Sequence, residues 1–260
     1  MSITVSVVIS NYFKAKYIEE AIDSVFKQTF PSYEIIVIDD TNGKDNIGGL
    51  SEPHKVYKTD DIGLSALRMY GVGKARGKYL LFLDADDKIH PTFLEKAVEK
   101  LEEHSEFSIC YTDTQHFDGA DTYWIQPEYN FHALLQGNYI CSCSLIRKND
   151  LIACGGFDLD NFNYFEDYQF WIAMGAKGYY GIHIPEKLFY YRIHAESGMQ
   201  SKRNALLAQT YYAYIISKFP MLYPREMKEQ VDEHLSKYPE HFMKWKPFQQ
   251  EEWLKQQGLL

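Results

Sequence analysis

Gly77-Lys-Tyr-Leu-Leu-Phe-Leu-Asp-Ala-Asp-Asp87 is an apolar run that ends in three carboxylates. Tyr79 to Leu83 is continuously apolar, which predicts a strand covered on both faces, as in a parallel sheet. Acids at the C-terminal end of such a strand lie where open α/β sheets bind their ligands. Asp84 and Asp86 are two residues apart, so an extended backbone would point both carboxylates to one side. Two convergent carboxylates suit Mg²⁺ or Mn²⁺, ions that also hold substrate phosphates. The plainer alternative is an acidic turn that ends a strand.

Outward from this stretch the chain alternates. Ile3 to Ile9 is a β-branched strand, and Tyr17, Ile18, Ala21, Ile22, Val25 and Phe26 follow at helical spacing. Glu34 to Ile38 is a second strand ending at Asp39-Asp40, Asn42-Gly43 and Gly48-Gly49 mark a loop, and a short strand covers Lys55 to Lys58. Leu64, Leu67, Arg68, Gly71, Val72 and Ala75 share a helical face before the Tyr79 strand. Pro91 opens the helix that carries Phe93, Leu94, Ala97, Val98 and Leu101. This rhythm predicts an α/β fold, a Rossmann-like, mostly parallel sheet flanked by helices. Residues 107 to 150 read as short strands and loops. Gly155-Gly156-Phe157-Asp158 reads as a turn, Glu166 to Ala176 as a helix, and Tyr179 to Ile184 and Leu188 to Arg192 as two strands. Helices dominate from about Lys202. The expected division is a main domain over 1–200 and a helical C-terminal extension over 201–260.

Composition narrows the class. The 260 residues carry a net charge of −9 and are 45% hydrophobic and 24% charged, ordinary for a globular protein. A pI near 5.5 gives no basic field with which to hold a nucleic acid. No apolar segment approaches a membrane span and no signal pattern opens the chain, so the expected location is cytoplasmic. Cys110, Cys141, Cys143 and Cys154 lack zinc spacing and read as small core residues, with Cys141 and Cys143 on one face of a strand. Gly71-x-Gly73-x-x-x-Gly77 ends a helix and precedes a strand, the reverse of a dinucleotide loop. No phosphate loop of the Walker kind and no Gly-x-Ser-x-Gly elbow is present.

Six blocks in order resemble family 2 glycosyltransferases. They are Val5 to Ser10 with Tyr12, Val25 to Phe30 with Glu34 to Asp40, Gly63 to Arg68, Gly77 to Asp87, Gly155 to Phe157 with Phe165 to Tyr168, and Tyr191-Arg-Ile-His194. The resemblance covers residues 3 to 196 and implies a GT-A fold, with a nucleotide-sugar donor lying across the C-terminal edges of the first strands. By position it implies that Ser10 and Tyr12 border the uridine of a UDP-sugar, with Tyr12 packed on the uracil. Asp40 would accept from the uracil N3–H; an Asx turn is its structural alternative. Arg68 would contact the diphosphate or ribose, or else snorkel at the surface.

The resemblance further implies that Asp84 touches the ribose and Asp86 ligates Mn²⁺ or Mg²⁺ bridging the diphosphate, while Asp87 supports the turn. Relatives of this type invert the anomeric centre, which requires a general base, and the matching position is Asp167, with Glu166 orienting the loop or meeting the acceptor. His194 completes the metal site in many relatives; a structural histidine is the other reading. The implied partners are a UDP-sugar and a saccharide or lipid-linked saccharide acceptor, in synthesis of a cell-surface polysaccharide or glycolipid. The asparagine usual after the helix arginine is Met69 here, and the Gly-Ser usual after the second-strand acids is Thr41-Asn42-Gly43. Aromatics and lysines over Met243 to Phe248 and Trp253 to Lys255 suit packing of a terminal helix, a homodimer contact, or peripheral contact with the inner face of the membrane. A catalytically inactive nucleotide-binding or scaffold relative, and a nucleotidyltransferase of similar fold, are the competing readings.

Overall fold

A computed structural model describes residues 3–48, 55–159, 165–194 and 205–237. The β-branched opening forms β1 (Val5–Asn11), followed by α1 (Ala15–Phe26), β2 (Tyr33–Asp39), β3 (Lys55–Lys58), α2 (Leu64–Lys74) and β4 (Tyr79–Asp84). Then come β5 (Lys88–Ile89), α3 (Phe93–Glu103), β6 (Phe107–Asp118), β7 (Tyr123–Trp124), α4 (Phe131–Leu134), β8 (Leu145–Arg147) and α5 (Lys148–Cys154). α6 (Glu166–Ala176), β9 (Tyr180–Ile193), α7 (Ala205–Lys218) and α8 (Arg225–Lys237) complete the described chain. The strands lie in one sheet in the order β3-β2-β1-β4-β8-β6-β9-β5, with β7 beside β6. β1, β2, β3 and β4 are parallel, whereas β8 runs against both β4 and β6.

Strand alternation sorts the core into two layers. Val5, Val7, Ile9, Tyr79, Leu81 and Leu83 pack with Ile18, Ile22, Phe93 and Leu94 of α1 and α3. Val8, Ile36, Ile38, Leu80 and Phe82 pack on the other face with Leu67 of α2 and Tyr168, Phe170 and Trp171 of α6. Asp84 and Ser10 continue this second alternation and sit opposite each other in register. The sequence order leaves β1 for β2 on one side and returns to β4 on the other, so the switch point opens between Ser10 and Asp84. Ala213, Ile215, Ile216, Tyr223 and Val231 of the C-terminal extension join the same core layer as α2 and α6.

Four sequence expectations are corrected. Residues 107–118 form one strand of 12 residues rather than short pieces. β9 is continuous over 14 residues, where the sequence reads as two strands, Tyr179 to Ile184 and Leu188 to Arg192. Its register against β6 passes from Thr112↔Ile184 to Asp113↔Lys187, so Pro185 and Glu186 are absorbed in a bulge where no ladder N–H is needed. Cys141 and Cys143 lie in a bent loop, not a strand. The helix after Pro91 begins at Phe93. Cys110, Cys143 and Cys154 are buried and all four thiols are free. Among the described residues no helix is long and apolar enough to cross a membrane; Gly49, Lys202 and the aromatic tail from Met243 lie outside them.

Candidate active site

The C-terminal edge of the parallel strands carries the acids. β4 ends at Asp84, and a turn closed by the Asp87 N–H on the Asp84 carbonyl at 3.0 Å carries the chain through Asp86. A tight turn, not the extended backbone expected from the spacing, therefore places the two carboxylates. Asp84 lies 3.5 Å from the Arg68 guanidinium. Burial lifts its carboxyl to about 6; Arg68 opposes the rise, and Asp86, Glu166 and Asp167 add to it. Asp86 faces other partners, His194 Nε2 at 2.9 Å and Lys14 Nζ at 3.8 Å. Asp87 is buried and accepts the Arg192 N–H at 2.9 Å, which ties the turn to β9. Burial and the neighbouring Asp86 and Asp84 push its carboxyl well above the ordinary range. Arg192 Nε also donates to the Asp86 carbonyl at 2.7 Å.

Arg68 is not at the surface. Only 1% of it is exposed, and its Nη1 donates to Glu166 Oε1 at 2.6 Å. Burial works against its charge, but Glu166, Asp84 and Asp167 outweigh that cost and raise its pKa above the usual value. The guanidinium also lies 5.4 Å from the Phe157 ring and 5.9 Å from the Phe82 ring. Gly156 explains Met69: a Cβ on Gly156 would lie 2.5 Å from the Met69 sulfur, so the Gly-Gly-Phe turn sits directly on this side chain.

Asp167 stands in the first turn of α6, where the helix dipole favours acids. Its Oδ1 accepts the Tyr168 N–H at 2.8 Å and its Oδ2 accepts Asn138 Nδ2 at 3.2 Å. Asn138 is pinned in turn, because its Oδ1 accepts the Ile140 N–H at 3.1 Å. Sequence reasoning missed Asn138; it falls in a loop with no periodicity to read. The residue before the acid pair, Phe165, holds φ 58, a left-handed conformation rare for an aromatic residue.

Just past β1, Tyr12 is half exposed beside Phe13, with ring centroids 5.0 Å apart. Ser10 is buried and its Oγ has no hydrogen-bond partner among the described residues. Asp40 accepts Thr59 Oγ1 at 2.7 Å and the Ile62 N–H at 3.0 Å on Oδ1, and the Gly63 N–H at 3.3 Å on Oδ2. Burial raises its carboxyl above the usual range. These partners lie 19 to 23 residues along the chain, so Asp40 clasps the loop before α2 rather than closing a local Asx turn, and Oδ2 keeps acceptor capacity. Ser10, Asp84, Arg68 and Asp167 thus gather on one face of the sheet edge, and Asp86 with His194 beside them.

No three His, Cys, Asp or Glu side chains are grouped as metal ligands among the described residues. Asp86 and His194 supply one carboxylate and one imidazole, a donor set that fits a cation taking its remaining ligands from phosphate. A surface cavity of about 530 Å³ beside β5 is lined by Lys88, Phe117, Asp118 and Tyr190 and includes none of these acids.

Comparison with known proteins identifies the family and the fold. The family model described as "Glycosyl transferase family 2" matches residues 6–168. The putative teichuronic acid biosynthesis glycosyltransferase TuaG of Bacillus subtilis is 29% identical over 220 residues, covering 81% of this chain and 86% of the relative. Staphylococcus aureus TarS in complex with UDP-GlcNAc superposes with a TM-score of 0.63 at 20% identity, over 94% of this chain and 73% of that one. The mannosyltransferase PcManGT of Pyrobaculum calidifontis, in complex with GDP-Man and Mn²⁺, gives a TM-score of 0.64 at 16% identity, over 85% of this chain and 65% of that one. The shared architecture is the GT-A fold.

Proposed function

The chain belongs to glycosyltransferase family 2, and on that premise we propose that it transfers a hexosyl or N-acetylhexosaminyl unit from a UDP-sugar to a saccharide or lipid-linked saccharide hydroxyl, with inversion. The observation that supports this most is the gathering of Asp84, Asp86 and Asp167 at the switch-point edge, on separate elements and with separate partners. Two carboxylates held in different environments are suited to different tasks. The relative's name, teichuronic acid biosynthesis, favours a cell-surface polysaccharide as the product.

In this reading the uracil lies against Tyr12, with its N3–H on Asp40 Oδ2, and Ser10 Oγ meets the nucleoside at the crevice. Asp84 takes a ribose hydroxyl. Asp86 and His194 would hold Mn²⁺ or Mg²⁺, which when bound neutralises charge on the departing diphosphate. The acceptor hydroxyl attacks the anomeric carbon from the face opposite the diphosphate. As the new C–O bond forms and the glycosyl–phosphate bond breaks, the hydroxyl proton passes to Asp167. The Tyr168 N–H and Asn138 hold that carboxylate in one orientation, which limits the rotamers it must lose on the way to the transition state. Burial is the first requirement for excluding water, and Glu166 at 6% exposure closes the floor beneath the base.

Calorimetric titration of UDP, GDP and CMP with and without Mn²⁺ tests the donor half. Binding of UDP alone, strengthened by Mn²⁺, is the expected result; preference for GDP overturns the uracil assignment. Asp167→Asn tests the base: transfer falls by two to four orders of magnitude, on the order of the general-base contribution, while UDP binding is kept. Near-normal turnover in that variant removes Asp167 from the role.

A further inference from the structure

We infer that Arg68 is a positioning residue, a buried strap that couples the donor-side aspartate Asp84 to the base-bearing helix α6 through Glu166, and that it makes no contact with the donor diphosphate. The inference rests on the donor and base assignments proposed above. Arg68 is 1% exposed, and its two terminal nitrogens face two different elements, Nη1 toward Glu166 at 2.6 Å and Nη2 toward Asp84 at 3.5 Å. Glu166 is the first residue of α6 and Asp167 the second, so a carboxylate fixed on Arg68 fixes the helix start. A fork-shaped cation can face two carboxylates at once, which a lysine cannot do with the same geometry.

A second link runs in parallel. Phe82 of β4 meets Phe157 edge-on at 5.2 Å, and Phe157 stacks on Phe170 of α6 at 4.4 Å. Arg68 lies against Phe157 and Phe82, so the polar and aromatic links form one block between the donor strand and the base helix. The two distances on Arg68 differ, and the longer one is on the donor side. A ribose hydroxyl arriving at Asp84 alters the partner at that longer, weaker end, and the shift reaches Asp167 through two side chains, Arg68 and Glu166, and one peptide. Linked elements of this kind carry coupling when both sites bias the same contact.

The experiment is hydrogen exchange of the Tyr168–Ile172 amides, with and without UDP and Mn²⁺, alongside UDP calorimetry. Removing Arg68 alone strands the Glu166 carboxylate in the core and can unfold the protein, so the informative variant is the pair Arg68→Met with Glu166→Met, an apolar replacement of both charges. Arg68→Lys is its conservative companion. In the unaltered protein, UDP should slow exchange at the start of α6 about tenfold. In the paired variant Asp84 also loses its counter-charge, so UDP should bind up to about tenfold more weakly while the exchange response disappears, and Arg68→Lys should restore part of it. A paired variant that keeps the full response overturns the strap. A loss of UDP affinity beyond about tenfold in the paired variant or in Arg68→Lys also overturns it, since Arg68 is then a donor contact. No UDP binding by the unaltered protein sinks the donor assignment itself, and the strap with it.

Discussion

Gly71→Ala separates two effects that ordinarily pull in opposite directions. In a helix interior the exchange favours folding by about 1 kcal/mol, because alanine has the higher helix propensity. At this position the new Cβ would lie 2.4 Å from Val8 Cγ1 and 3.2 Å from Cγ2. Favourable carbon contacts lie near 3.5–4.0 Å, so the methyl intrudes by more than an ångström. Val8 is fully buried in β1 between Ile36 and Phe82, its register neighbours, and a β-branched side chain in such a slot has no second rotamer to turn to. Overpacking costs about 1–3 kcal/mol, and this geometry belongs at the upper end. The net expectation is a loss of about 2 kcal/mol, or roughly 4–8 °C in Tm for a domain of this size. Urea denaturation followed by tryptophan fluorescence measures it. Val8→Ala removes both offending methyls, so in that background Gly71→Ala should be neutral or stabilising by up to about 1 kcal/mol. A Gly71→Ala protein as stable as the parent would refute the claim that α2 is seated on β1 by the missing side chain. Arg68 lies one turn earlier on α2, so activity should fall with stability.

Further outcomes follow from the same contacts. Burial pushes the Glu34 carboxyl up, but the Arg76 side chain, the Arg76 N–H and Ser6 outweigh it and leave its pKa below the usual 4.5. Because the folded value is the lower one, this stabilisation is full above about pH 4.5 and fades as pH falls through the folded value. Glu34→Gln should cost about 1–2 kcal/mol near neutral pH, discounted for the exposed Arg76, and the two proteins should converge in acid melts. The Cys110 thiol, lifted by burial to about 12, should react with iodoacetamide about a thousandfold more slowly than a free thiol near pH 8, read by mass spectrometry on the native protein. Equal labelling rates for Cys110 in the native and unfolded states would contradict that burial. His194→Ala should weaken Mn²⁺-dependent UDP binding about tenfold or more and leave metal-free binding alone; equal loss in both titrations would return His194 to a structural role.

The first hundred residues were legible because one physical signal repeats there. Strands buried on both faces and helices buried on one leave different periods, and both survive in the sequence of β1 through α3. Glu166 to Ala176 was equally plain. The 107–150 region was not, since the register of β6 against β9 shifts after Phe107 and around Asp113, and β6 mixes Asp113, Thr114 and His116 among its apolar residues. β9 reads as two strands in the sequence because the bulge at Pro185 and Glu186 depends on its partner strand, which no local pattern contains. Asp84 and Asp86 stood out as acids at a strand end and Asp167 came only from the family resemblance; how any of them is held was not legible. The turn after Asp84, the Asn138 clasp and the burial of Arg68 are all products of contacts between segments distant in the chain. Arg68 at a core-facing helical position was the one hint: a charge on an apolar face implies a buried carboxylate, and Glu166 lies 98 residues away.

The place of β9 in the sheet also fixes an order of events during synthesis. β6 pairs in parallel with β9, and β5 pairs only with β9, so a ribosome delivers the partner of both strands last among the sheet's members. Until residue 193 has left the exit tunnel, a nascent chain carries two open strand edges, the kind of surface that invites pairing with a neighbour. Over the same interval Asp86 and Asp87 are made but lack Arg192 and His194, the groups that face them in the finished protein. The acidic turn therefore acquires its surroundings in one late step, and a chain released early is short of a strand and of the groups that face Asp86 and Asp87 together.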